Sequence, residues 1–164
     1  MSNVEAATGR PAAIHQFVAG FSNGDAISNE ARVLRDCFRR WGFASEIFCE
    51  TKRILPELRK DAHDVSSYTP APSDVVLLHL SIGSPLNEVF RTLPCRKALL
   101  YHNVTPPAYY RVINPQTADQ LTRGREQVKA LADVAQIIMA DSRYNAEELE
   151  AFGYSDVHVL PLVL

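Results

Sequence analysis

At 164 residues, 46% of them hydrophobic and 22% charged, the chain has the size and composition of one ordinary soluble globular domain able to bury a core. A net charge of −2 excludes the basic footprint of a nucleic-acid binder and gives no charge-based hold on an anionic membrane, though peripheral contact stays open. The cysteines Cys37, Cys49 and Cys95 fit no zinc or redox spacing, and neither a signal peptide nor an apolar run of membrane-spanning length is visible, so a cytoplasmic setting is expected.

Residues Ser2 to Pro11 read as a loose leader, which makes residues 1–11 disordered and places one domain over residues 12–164. Ala12–Val18 is a short strand with His15 and Gln16 inside it, His15 being packed rather than functional. The turn Gly20-Phe21-Ser22-Asn23-Gly24-Asp25 follows. Ala26–Trp41 then has Ile27, Ala31, Leu34, Phe38 and Trp41 at helical spacing on one face, with Asp25 or Ser28 as cap and Gly42 as stop. Cys37 on this helix reads as a small core residue.

Ala44–Cys49 is the next strand, Leu55–His63 reads as a short helix, and Tyr68–Ser73 is a loop. Asp74–Leu80 is an apolar strand of the kind buried on both faces. Pro85 suits the first turn of a short helix running to Thr92. Arg96–Tyr101 is the fourth strand, Pro115–Ala132 a long helix, and Val134–Ala140 the fifth strand. Ser142 caps a helix over Arg143–Phe152 that Gly153 ends, and Val157–Leu160 is the sixth strand. Strands alternating with helices imply an α/β, doubly wound parallel sheet, Rossmann-like in form.

In such a sheet, residues just past the carboxyl ends of strands face the ligand crevice. Two stretches qualify. Gly20–Asp25 is a glycine-bearing turn into a helix, able to bring backbone N–H groups to a phosphate or simply to make a tight turn. It lacks the spacing of a dinucleotide fingerprint, which argues against a nicotinamide or flavin. His102-Asn103-Val104-Thr105-Pro106-Pro107 sets a histidine and two polar residues on a proline-stiffened turn. His102 is a hydrogen-bond donor or base at the strand edge, or a histidine satisfied by its own turn. His79 reads as a core histidine, and His63 and His158 as surface residues. No His/Asp cluster suggests a metal, and no nucleophile elbow is present. Arg111, Arg123 and Arg125 can reach an anionic ligand, but a solvated helix face is the plainer reading.

Taken in order, the Gly20–Ile27 loop, Trp41–Phe48, Tyr101–Pro106 and the Ala140–Leu149 stretch leading into Phe152-Gly153 resemble the N-terminal domain of retaining glycosyltransferases of the GT-B fold, family 4. The resemblance runs from about His15 to Leu164. It implies the acceptor-binding lobe of an enzyme that moves a sugar from a nucleotide-sugar to a small-molecule, lipid or glycan acceptor with retention. It further implies no metal and no cofactor beyond the nucleotide-sugar substrate. By that similarity Gly20, Asn23, Gly24 and Asp25 lie near the donor diphosphate. His102 lies near the transferred sugar as the catalytic contact, with Asn103 and Thr105 beside it, and Ser142 and Arg143 sit at the cleft rim. Family members carry a second, donor-binding lobe, and here the chain stops where the hinge is expected. The sequence is therefore expected to be an N-terminal half, whether a truncated piece, the product of a fragmentary gene or half of a split enzyme, inactive alone, with the C-terminal lobe as its partner. The competing reading is a non-catalytic Rossmann-like binding module that self-associates through the face left open. A flavodoxin-like or receiver-like protein is disfavoured, since no acidic cluster follows the first strand.

Overall fold

The computed structural model describes residues 13–163. The leader expected over residues 1–11 lies outside the described residues, as do Ala12 and Leu164. Seven parallel strands form one sheet in the order β3-β2-β1-β4-β5-β6-β7. They are β1 (Ile14–Val18), β2 (Ile47–Cys49), β3 (His63–Asp64), β4 (Val75–Leu80), β5 (Arg96–Tyr101), β6 (Ile137–Ala140) and β7 (His158–Val159). The helices are α1 (Ala26–Arg40), α2 (Pro85–Thr92), α3 (Pro115–Ala130) and α4 (Arg143–Ala151). This is the Rossmann-like α/β architecture that the alternating pattern implies.

Period-two alternation sorts the strand residues between two layers. On one face Phe17, Val76, Leu78, Leu80, Leu99, Tyr101, Ile138 and Ala140 pack with Leu86, Phe90, Leu121, Val128 and Leu149 of α2, α3 and α4. On the other, α1 covers the sheet: Ala31 packs with Val18 and Ile47, and Leu34 with Leu77, Ala98 and Leu100. The central strands are almost wholly buried, as apolar runs without polar alternation require.

Local chemistry sets most boundaries. Asp25 caps α1, its Oδ2 accepting from Ser28 N at 2.8 Å. Ser84 caps α2 ahead of Pro85 at the first helical position. Ser142 caps α4, and Gly153 turns the chain away at φ +98°.

Four expectations change. Leu55–His63 is not a helix: it is one 3₁₀ turn, Pro56–Leu58, followed by the edge strand β3. Asp64 accounts for the extended course, accepting from Thr51 N at 3.1 Å, from the Thr51 hydroxyl and from Ser66 N, and so drawing the segment alongside β2. Trp41 does not join the buried face of α1. The helix ends at Arg40, and Trp41 as its C-cap residue is 61% exposed, edge-on to Phe38. Ser28 and Glu30 are buried on α1 instead. Cys37 is half-buried rather than in the core, with Sγ 3.0 Å from Arg40 Nη2. The fifth strand begins at Ile137, since Val134 N still bonds back to Leu131 O in the turn after α3.

Candidate functional site

β1 is where the sheet order reverses: its connection leads outward to β2, and its other neighbour β4 starts the second wing. Ligand crevices form at such a switch point, outside the carboxyl ends of the strands. Here a crevice of about 300 Å³ opens there, lined by Gly20, Ser22, Asp25, Arg53, Ser81 and Ile82, among others. Its near wall is rigid. Phe21 N donates to Arg53 O at 3.0 Å and Leu55 N to Phe21 O at 3.4 Å, so the loops after β1 and β2 are sewn together. Asp25 Oδ2 holds Ser28 Oγ at 2.6 Å, and that oxygen accepts from Ser22 N at 3.1 Å. Gly24 adopts φ +72°, the left-handed conformation that brings the chain round into α1. Across the crevice, Gly83 touches Gly124 of α3 so closely that a Cβ on Gly83 would lie 2.8 Å from Gln120 O and Gly124 N. That contact fixes the loop after β4 against α3.

Beside the crevice, on the face covered by α1, a row of polar side chains crosses four strands. Gln16, two residues below the end of β1, is fully buried and donates from Nε2 to Ala31 O of α1 at 2.8 Å. Its Oε1 therefore accepts from His79 Nε2, 2.9 Å away. That leaves His79 Nδ1 a lone pair, which accepts from His102 Nε2 at 2.9 Å, the two rings stacked at 7°. His102 Nδ1 lies 3.3 Å from Asp141 Oδ2. With Asp141 ionised, the chain is complete only when both ring nitrogens of His102 donate. Burial holds the His79 ring well below its ordinary value of 6.5, with the neighbouring His102 adding to the effect. For Asp141, burial pushes upward, but hydrogen bonds from His102, Asn145 and Ser142 outweigh it and hold the carboxyl below the usual range.

The row continues into α4. Asn145 Nδ2 donates to Asp141 Oδ1 at 2.6 Å. Asn103, at φ +78°, donates from Nδ2 to Asn145 Oδ1 at 2.9 Å and to Glu148 Oε2 at 3.2 Å. Glu148 also accepts from Tyr101 Oη at 2.6 Å and pairs with Arg125 Nη2 at 2.9 Å. Arg125 Nη1 in turn donates to Val104 O at 2.7 Å. Burial, reinforced by the bond to Glu148, raises the Tyr101 phenol far above its normal range. The turn after β5 is thus held at both ends by ionic and polar bonds.

The residues singled out from sequence divide between these two regions. Gly20 and Asp25 line the crevice, while Asn23 and Gly24 are exposed at its rim. His102 enters the polar row with its side chain only 2% exposed. Asn103 is tied to α4, and Thr105 is exposed. Ser142 Oγ caps α4 by accepting from Asn145 N at 3.2 Å, and Arg143 is exposed and paired with Glu147 at 3.1 Å. Arg125 is not on a solvated face, since it binds Glu148 and lies 4.8 Å over the Phe152 ring. Sequence reading missed Gln16 as the partner of His79, Asp141 as a partner of His102, Asn145 and Glu148 as partners of Asn103, and Arg53 and Ser81 as crevice walls. One signal was available: Asp141 stands directly after β6 as His102 stands directly after β5, and neighbouring parallel strands bring such positions together.

No group of His, Cys, Asp and Glu among the described residues is arranged to hold a metal ion. No described helix is long and apolar enough to cross a membrane. No protein-family model and no curated protein matches the chain.

Proposed function

We propose that this chain is the acceptor-side lobe of a retaining glycosyltransferase of the GT-B type, acting with a second lobe that holds most of the nucleotide-sugar. The observation that carries the reading is the crevice at the β1/β4 switch point, walled by the glycine-bearing loop and flanked by the His79–His102–Asp141 row. The amides of Gly20, Asn23, Gly24 and Asp25 face the donor diphosphate, those of Phe21 and Ser22 being held by Arg53 O and Ser28 Oγ, with Gly24 keeping the turn open to it. In the transfer, the bond from the anomeric carbon to the diphosphate breaks and one from that carbon to the acceptor oxygen forms. The acceptor's proton leaves with the diphosphate.

His102 supplies a polarising contact to that centre. Its 3.3 Å bond to Asp141 is the longest in the row and the one a ligand hydroxyl displaces. His79 and Gln16 act as positioning residues, holding the ring in one orientation from below. The competing reading, a non-catalytic binding module, is favoured by one observation, the 2% exposure of the His102 side chain.

Titration of the ¹⁵N-labelled chain with uridine, guanosine and adenosine diphosphate sugars tests the site. Saturable shifts at the Gly20–Asp25 and Ser81–Ile82 amides support it. Shifts absent there with every nucleotide-sugar at millimolar concentration remove the donor contact from the crevice and leave the binding-module reading.

A further inference from the structure

A second basin adjoins the switch-point crevice on the far side of Arg53. It has a volume of about 310 Å³ and is lined by Glu50, Lys52, Arg53, Ser84, Gln120 and Arg123, among others. Its charges do not cancel. Lys52 Nζ stands 3.5 Å from Glu50 Oε2, but the exposed guanidiniums of Arg53 and Arg123 hold no hydrogen bond or ion pair among the described residues. Three cations against one carboxylate leave an excess of two, which matches the charge of a phosphomonoester near neutral pH. No aromatic side chain lines the basin, so it offers no stacking platform for a nucleobase.

The two arginines are set on backbone that is already fixed. Arg53 closes the 3₁₀ turn Thr51–Arg53, its N–H bonded to Glu50 O at 2.8 Å and its carbonyl to Phe21 N at 3.0 Å. Arg123 stands next to Gly124, the residue that seats α3 against Gly83. Two unpaired forks presented to one basin from separate rigid elements form a preorganised clamp for an oxyanion, and guanidinium is the group best matched to phosphate. Ser84 and Gln120 add neutral polar groups to the same wall.

We propose that this basin receives a phosphomonoester group carried by the acceptor, with Arg53 and Arg123 as its clamp. Naming the bearer as the acceptor rests on the acceptor-lobe reading, whereas the anion site itself does not.

The test is an amide titration of the ¹⁵N-labelled chain with sn-glycerol 3-phosphate, inorganic phosphate, glycerol and uridine diphosphate. The two phosphates shift the amides of residues 83, 84 and 120–127 saturably, and glycerol does not. Arg123→Ala weakens phosphomonoester binding at least tenfold, as expected for loss of a charged hydrogen bond. The same variant leaves the uridine diphosphate shifts in the Gly20–Asp25 loop unchanged, because Arg123 lines only the second basin. Equal affinity in Arg123→Ala, or no phosphomonoester shift in these segments, overturns the proposal. So does uridine diphosphate that occupies the second basin and leaves the glycine loop untouched. Phosphomonoester binding without sugar transfer by the full-length gene product keeps the anion site and retires the glycosyltransferase reading. Transfer without phosphomonoester binding does the reverse.

Discussion

Replacing Gly124 by alanine sets two effects of opposite sign against each other. Gly124 lies in the interior of α3, where alanine is the better helix former by about 1 kcal/mol. A Cβ at this position, however, stands 2.6 Å from Gly83 N, 3.2 Å from Gly83 Cα and 3.1 Å from Val104 Cγ1. Favourable carbon contacts lie at about 3.5–4.0 Å, so loop and helix must part by roughly 1 Å. The atoms in the way are mostly backbone. The loop is also pinned to α3 by Ser84 N to Gln127 Oε1 at 3.0 Å and Gln127 Nε2 to Ser84 O at 3.1 Å. Overpacking costs about 1–3 kcal/mol, and each strained or broken hydrogen bond about 1 kcal/mol more. The net effect is a loss of about 2 kcal/mol, or a fall in Tm of about 4–8 °C for a domain of this size. Urea and thermal unfolding followed by circular dichroism measure it. Gly124→Ala as stable as the parent, or more stable, refutes the close approach of α3 to the loop after β4. Gly83→Ala carries the same sign, since its Cβ meets Gln120 O and Gly124 N at 2.8 Å.

Tyr101→Phe removes the Oη that donates to Glu148 and accepts from Val104 N, leaving a buried N–H unpaired, so urea unfolding is expected to report about 2 kcal/mol of lost stability. Stability is expected to fall as pH drops from 7 to 5. The unfolded His79 takes up a proton near its ordinary 6.5 that the buried native ring resists, costing about 1.4 kcal/mol per pH unit below that value. His15, lowered by burial, acts in the same direction. Asp141, whose carboxyl is held low, adds a further loss as pH falls through its native pKa. Denaturation midpoints that are flat or rise between pH 7 and 5 contradict this. His102→Ala is expected to cut sugar transfer by the full-length gene product more than tenfold while the far-ultraviolet dichroism is retained, and an unchanged rate dismisses the role given to His102.

The elements that sequence made legible are those whose boundaries are local. Pro85 in a first helical turn, Ser142 before Arg143 and glycine at position 153 each act locally, and α2 and α4 start where the first two indicate. Strand β5 matches its expected range because Arg96–Tyr101 is an uninterrupted apolar run after two polar residues. The segment from Leu55 to His63 was misread because its course depends on Asp64 reaching back thirteen residues to Thr51. Trp41 was misread because periodicity does not say where a helix stops being covered. The candidate site divides in the same way. The Gly20–Asp25 turn and the edge position of His102 are visible in the chain. The partners of His102 are not, because His79 and Asp141 lie 23 and 39 residues away and meet it only through the sheet order β4-β5-β6. Asn103, Ser142 and Arg143, read as ligand contacts, have intramolecular partners that the sequence does not show: their side chains tie the turn after β5 to α4, cap α4, and pair along its surface.

The central claim is that the switch-point crevice serves sugar transfer. It is tested most directly by incubating the full-length gene product with radiolabelled nucleotide-sugars and a mixed panel of phosphorylated, lipid and glycan acceptors. Label appearing in an acceptor with the anomeric configuration of the donor, and lost in His102→Ala, is the expected result. Neither transfer nor hydrolysis of any nucleotide-sugar by a folded protein contradicts the account.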